Sequence, residues 1–188
     1  MTEIKFYGRG GQGAVIAAQI LAKVYFLMGM YPQCFSVFGG ERRGAPVASF
    51  LRVDKKKIYL KCEIRKPDEV IYMAPDLVDE KEIEATLKPN GLILINNALT
   101  TNEFTGLRKF RLALVDALAV AEEAGLGSTI NTAILGAYAK ASGAVSMEFL
   151  EQAIRETVPA KVKENVAAAR RAYELTRIAS REKKESSK

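Results

Sequence analysis

The chain has 188 residues, 48% of them apolar, which is ordinary for one globular domain with a substantial core and argues against disorder. It carries two cysteines, Cys34 and Cys62, and no histidine. That set excludes an iron–sulfur cluster or a Cys/His zinc site held wholly by this chain, and any imidazole base. The net charge of +6 and pI near 9.3 imply an anionic partner, while 8% aromatics without Trp give little for nucleic-acid bases to stack on.

The first residues, MTEIKFYG, lack the basic-then-apolar pattern of a secretory leader, and two distant cysteines fit reduced thiols, so a cytoplasmic location is expected. Glu3 to Tyr7 alternates as a first strand, and GRGGQG (8–13) follows as a glycine loop. From Ala14 to Met30 only Gln19 and Lys23 interrupt an apolar run, too short and too charged at its middle to cross a bilayer. A helix apolar nearly all round is buried nearly all round, so a protein partner is expected to cover its outer side, and self-association is expected of the isolated chain.

CFSVF (34–38) is a second strand, ended by GGERRGAP (39–46). VASFLRV and IYLKCEI then flank DKKK as a β-hairpin, with Ile58, Leu60, Cys62 and Ile64 on a dry face and Lys55, Lys56 and Lys57 as a solvated turn or guards of an open edge. DEVIYM (68–73) is a strand, VDEKEIEATLK (78–88) a short amphipathic helix, and LILIN (92–96) and FRLALV (110–115) are buried strands. Asp116 caps a helix that stops at Gly125. Beyond it the chain is helical: one helix capped by Ser128 or Thr129 and stopped by Gly143, one capped by Ser146, and one from Lys161 to about Ser180. The expectation is an α/β fold, mostly parallel, with an inserted antiparallel hairpin and a helical C-terminal part, as one domain over residues 1–180 and a charged tail over 181–188.

Gly8, Gly10 and Gly13 satisfy G-x-G-x-x-G between a strand and a helix, with Gly11 and the amide of Gln12 in the same loop. Such a loop either lets a phosphate reach bare backbone at a helix N-terminus or merely shapes a tight turn. The acidic residue that a dinucleotide ribose needs after the second strand is missing; Glu41 lies further on, beside Arg42 and Arg43. Two guanidiniums next to a glycine turn suit phosphate, or serve as interfacial salt bridges. Two other readings of these residues are a stand-alone Rossmann-like module sensing a nucleotide or phosphometabolite, and an NADP-dependent reductase.

The pairing of GRGGQG with FGGERRGAPVASFLRV, continued through KPDEVIYMAPDL (66–77) and NTAILGAYAKASG (131–143), resembles the γ subunit of the 2-oxoacid:ferredoxin oxidoreductases, the pyruvate enzyme most of all. The resemblance implies a Rossmann-like three-layer domain in a multi-subunit enzyme that converts pyruvate and coenzyme A to acetyl-CoA and carbon dioxide and reduces ferredoxin. It implies thiamine diphosphate and iron–sulfur clusters on partner subunits of alpha, beta and delta type, with no catalytic or metal-ligating residue here. It also implies that this chain helps bind coenzyme A. Gly8, Gly10, Gly11, Gln12 and Gly13 would then lie near the cofactor, and Arg42 and Arg43 would meet a phosphate or anchor a partner. Neither nucleic acid nor a membrane is an expected partner.

Overall fold

The computed structural model describes residues 1–38, 44–98 and 101–179, the side chains of 38 and 101–103 excepted. Seven strands form one sheet: β1 Thr2–Arg9, β2 Tyr31–Phe38, β3 Pro46–Asp54, β4 Glu69–Tyr72, β5 Leu92–Asn96, β6 Arg111–Val115 and β7 Arg177–Ile178. Their order is β2-β3-β1-β4-β5-β6-β7. The run β1-β4-β5-β6 is parallel, while β3 lies antiparallel between β1 and β2, and β7 is antiparallel to β6. Five of the seven strands therefore point the same way.

Side chains alternate across this sheet as the pleat demands. Ile4, Phe6, Leu51, Ile71, Leu94 and Val115 enter one core with helices α1 Ala14–Leu27, α3 Ala117–Glu123, α4 Asn131–Ser142, α5 Met147–Thr157 and α6 Val162–Leu175. Val70, Tyr72, Ile93, Ile95, Leu112 and Leu114 enter the other, against Ile83 of α2 Glu80–Thr86 and Leu107 of the 3-10 segment Thr101–Leu107. Helices on both faces make the three-layer α/β sandwich that the strand–helix alternation predicts. Side-chain caps start three of the helices: Asp79 accepts from the Lys81 and Glu82 amides, Asp116 from Ala119, and Ser146 from Phe149.

Four expectations need correction. The hairpin exists, but β2 and β3 make it; residues 57–64 are not a strand, and Leu60 and Cys62 are exposed where the alternation places them dry. Because β1 and β2 already occupy both edges of β3, no edge remains for a second arm on that side. The fourth helix starts at Asn131 with Ile130 at its cap position and no side-chain cap, so Ser128 and Thr129 do not serve. The last helix ends at Leu175 and the chain then adds the short strand β7. Helix α1 is only partly bare, since α5 lies against it and Lys23 pairs with Glu156 at 2.8 Å; Ile16 (42% exposed) and Phe26 (62%) are its exposed large apolar side chains.

Candidate functional site

After β1 the chain passes to one face of the sheet through α1; after β4, the next parallel strand, it passes to the other face through α2. The carboxyl ends of β1 and β4 are therefore a topological switch point, the place where open α/β sheets bind ligands. The glycine loop follows β1 at that place.

Within the loop the glycines divide the work. Gly8 is still strand, paired with Val47, and a Cβ there would stand 3.0 Å from the Cβ of Ala14, so its bareness lets α1 pack close to β1. Gly10 is committed to protein: its amide donates to the Ala45 carbonyl at 2.9 Å and its carbonyl accepts from Gly44 at 3.2 Å. Gln12 is committed too, its Oε1 accepting from the Arg9 amide at 2.8 Å while its own amide donates to the Arg9 carbonyl. Gly11 (φ 99°) and Gly13 (φ 83°) take the left-handed turn itself, which a side chain would strain. Among the described residues no backbone carbonyl accepts from either amide.

Helix α1 then begins with no side-chain cap and no acidic residue in its first turn, which leaves the amides of Ala14, Val15 and Ile16 open. A second helix N-terminus reaches the same spot. Asn131, first residue of α4 and 7% exposed, packs on Gly13 so closely that a Cβ there would lie 3.2 Å from its Cβ and its Nδ2. The open amides of the α1 start and the glycine turn form a partial positive charge suited to an anion, with the start of α4 beside them, where Asn131 Oδ1 accepts from the Thr132 amide at 2.8 Å.

Two side chains brace the site, and sequence reasoning missed both. Arg9 donates through Nε to Asp76 Oδ2 at 3.0 Å, pairs with the same oxygen through a second nitrogen, and donates to the Gly44 carbonyl at 2.9 Å. It thereby ties the glycine loop, the end of the β2–β3 loop and the β4–α2 turn together. The guanidinium holds the Asp76 carboxyl below the usual range. Asn96, at the end of β5, donates to the Met73 carbonyl at 3.0 Å and accepts from the Ala117 amide at 2.9 Å, which sets the turn after β4. An Arg inside a glycine motif and an Asn ending a buried strand were the available signals. Residues 39–43, Arg42 and Arg43 among them, lie outside the described residues.

Among the described residues no group of three or more Cys, Asp or Glu side chains gathers that could hold a metal ion. Burial pushes the Cys34 thiol up to about 11, and Cys62 sits far from it in sequence, on the exposed segment after β3. No helix among the described residues is long and apolar enough to cross a membrane.

A family model for pyruvate ferredoxin/flavodoxin oxidoreductase matches residues 3–175. The chain belongs to this family. It is 48% identical over 183 residues to the pyruvate/ketoisovalerate oxidoreductases common subunit gamma of Pyrococcus furiosus, covering 95% of this chain and 98% of that one. It is 45% identical over 176 residues to the pyruvate synthase subunit PorC of Methanothermobacter marburgensis, covering 93% and 97%. The crystal structure of the pyruvate oxidoreductase subunit PORC of Thermotoga maritima superposes with a TM-score of 0.81 at 30% identity, over 95% of this chain and 98% of that one. The fold also recurs in the 2-oxoglutarate:ferredoxin oxidoreductase of Magnetococcus marinus, with a TM-score of 0.75 at 17% identity, over 93% of this chain and 30% of that one. The chain thus has the role of a gamma subunit in a multi-subunit oxidoreductase, and the stand-alone module and the NADP reductase fall away.

Proposed function

We propose that this subunit serves an enzyme that converts pyruvate and coenzyme A to acetyl-CoA and carbon dioxide while reducing ferredoxin, and that its share is to hold coenzyme A in position. Alpha, beta and delta-type subunits are its partners, and the cytoplasm its location. Thiamine diphosphate and iron–sulfur clusters would sit on partner subunits and supply the decarboxylation and electron-transfer chemistry there. Two cysteines on separate segments are too few to hold a cluster, and the share of this chain is positioning.

The observation that carries the reading is the uncapped start of α1 behind the Gly11–Gly13 turn, met by the start of α4 at the sheet's switch point. Coenzyme A presents a diphosphate and a separate 3′-phosphate. The open amides suit one of these, and Arg42 and Arg43, from the loop that Arg9 anchors at Gly44, suit the other by bidentate hydrogen bonding. A phosphate fixed here orients the thiol arm toward the partner subunits, where the acyl group is formed.

The test uses the assembled enzyme carrying Arg42→Ala with Arg43→Ala. The KM for coenzyme A rises by about ten-fold or more, as expected when charge-assisted hydrogen bonds worth roughly 1.5–3 kcal/mol are lost, while decarboxylation of pyruvate without coenzyme A proceeds at the wild-type rate. An unchanged KM together with loss of assembly would make the pair a subunit contact instead.

A further inference from the structure

The net charge of +6 is not spread over the molecule. Residues 55–66, KKKIYLKCEIRK, place six cations, Lys55, Lys56, Lys57, Lys61, Arg65 and Lys66, against one carboxylate, Glu63. This segment carries a net +5, leaving +1 for the rest of the chain. It is also remote from the glycine loop. The segment leaves the sheet after Asp54, beside the first residues of β1, whereas the loop follows Arg9 at the other end of that eight-residue strand, about 23 Å away at strand rise.

Several cations elsewhere are paired: Lys23 with Glu156, Lys88 with Asp68, Lys109 with Glu84 and Arg170 with Glu151, all at 2.6–2.9 Å. The six cations of the segment are all exposed, and none makes an ion pair among the described residues. Uncompensated like charges on one short stretch repel one another and attract an oppositely charged surface. Guarding a sheet edge is not their use, because no strand runs through residues 57–64.

The segment is pinned without being regular. Ile64 (2% exposed) and Pro67 are buried, Ile58 is half-buried, and the buried Arg52 of β3 reaches the Cys62 sulfur at 3.8 Å. Between these anchors Tyr59 (78% exposed) and Leu60 (46%) stand out into solvent, with the Lys57 ammonium 5.5 Å from the Tyr59 ring. Two large exposed apolar side chains flanked in sequence by cations match the anatomy of a protein interface, an apolar centre inside a polar rim. A nucleic-acid face would need further stacking aromatics or a helix to enter a groove, and the segment has one aromatic ring and no helix.

We propose that residues 55–66 are a docking face for an acidic protein surface with an apolar centre, borne by another subunit of the same oxidoreductase. Tyr59 and Leu60 enter that centre and the lysines meet its carboxylates. The proposal rests on the subunit reading for its partner but not on coenzyme A binding, which concerns the other end of the sheet.

The test is made on the purified complex. Zero-length carbodiimide coupling followed by mass spectrometry joins Lys55, Lys56, Lys57, Lys61 or Lys66 to identified Asp or Glu residues of another subunit. Lys55→Glu with Lys56→Glu and Lys57→Glu lowers the salt concentration at which this chain leaves the complex by about two-fold or more, because screening then has less attraction to overcome. Tyr59→Ser with Leu60→Ser lowers it without changing any charge. The KM for coenzyme A at low salt stays at the wild-type value in both variants. Absence of such cross-links, or cross-links with an unchanged salt midpoint in both variants, overturns the proposal. So does retention of single-stranded oligouridylate by the wild-type complex that the lysine variant loses, with no cross-link to a subunit. A chain that joins no complex at all would refute the subunit reading itself.

Discussion

Glu69 is a carboxylate on a buried strand, 9% exposed, and the Tyr138 hydroxyl donates to it at 2.6 Å and is 2.9 Å from the hydroxyl of Tyr25. Burial raises its pKa, against the hydrogen bond from Tyr138 and the charge of Arg111, which lower it. The unfolded chain therefore releases this proton at a lower pH than the folded one. Stability falls as pH rises from the ordinary glutamate value through the folded value, and the contribution is level above it. Glu69→Gln keeps an acceptor for Tyr138 and removes the ionisation. The melting temperature of the wild type should thus fall relative to that of the variant as pH is raised from about 4.5 towards neutrality. A constant difference across that range would contradict the assignment. Nothing in the sequence around EVIY announces this residue, because its partners come from helices far along the chain. Arg9 and Asn96 were hidden for the same reason: each acts through loops that only the folded sheet brings together.

At the scale of elements, what was legible depended on how many neighbours an element has. LILIN reads as a strand buried on both faces, and β5 lies between two parallel strands with helical layers above and below. Residues 58–64 alternate just as cleanly and form no strand, since strand formation needs a free edge that the alternation itself does not reveal. The glycine loop was legible in type and position. Its division into committed Gly10 and open Gly11 and Gly13 was not, because the hydrogen bonds of Gly10 go to residues 44 and 45. A further glycine tells the same story between helices. Gly136, inside α4, faces α6 so closely that a Cβ would stand 1.9 Å from the Ala169 carbonyl oxygen. A helix interior ordinarily favours Ala over Gly by about 1 kcal/mol, yet Gly136→Ala must push two helices apart. Denaturant unfolding should show a loss of about 2 kcal/mol or more, as in an overpacked core. A stabilised variant would mean that the helices cross less tightly than this.

Across the whole molecule, the two proposed roles fall at opposite ends of β1. One end of the sheet carries the uncapped helix starts, and the opposite end of β1 carries most of the net charge. The basic pI was legible as a sign of an anionic partner, but the sequence did not say that its source lies away from the glycine turn, since that depends on which strand ends the loops leave. Ile16 and Phe26 are exposed apolar residues on α1, on a face that Gln19 and Lys23 also share. On the proposed function, the backbone of the loop and of the first turn of α1 holds coenzyme A. Hydrogen–deuterium exchange of the intact oxidoreductase, with and without coenzyme A, addresses it at the atoms concerned. Slowed exchange at the amides of Gly11, Gly13, Ala14, Val15 and Ile16 on adding coenzyme A is the expected result, and protection confined to the partner subunits would contradict it.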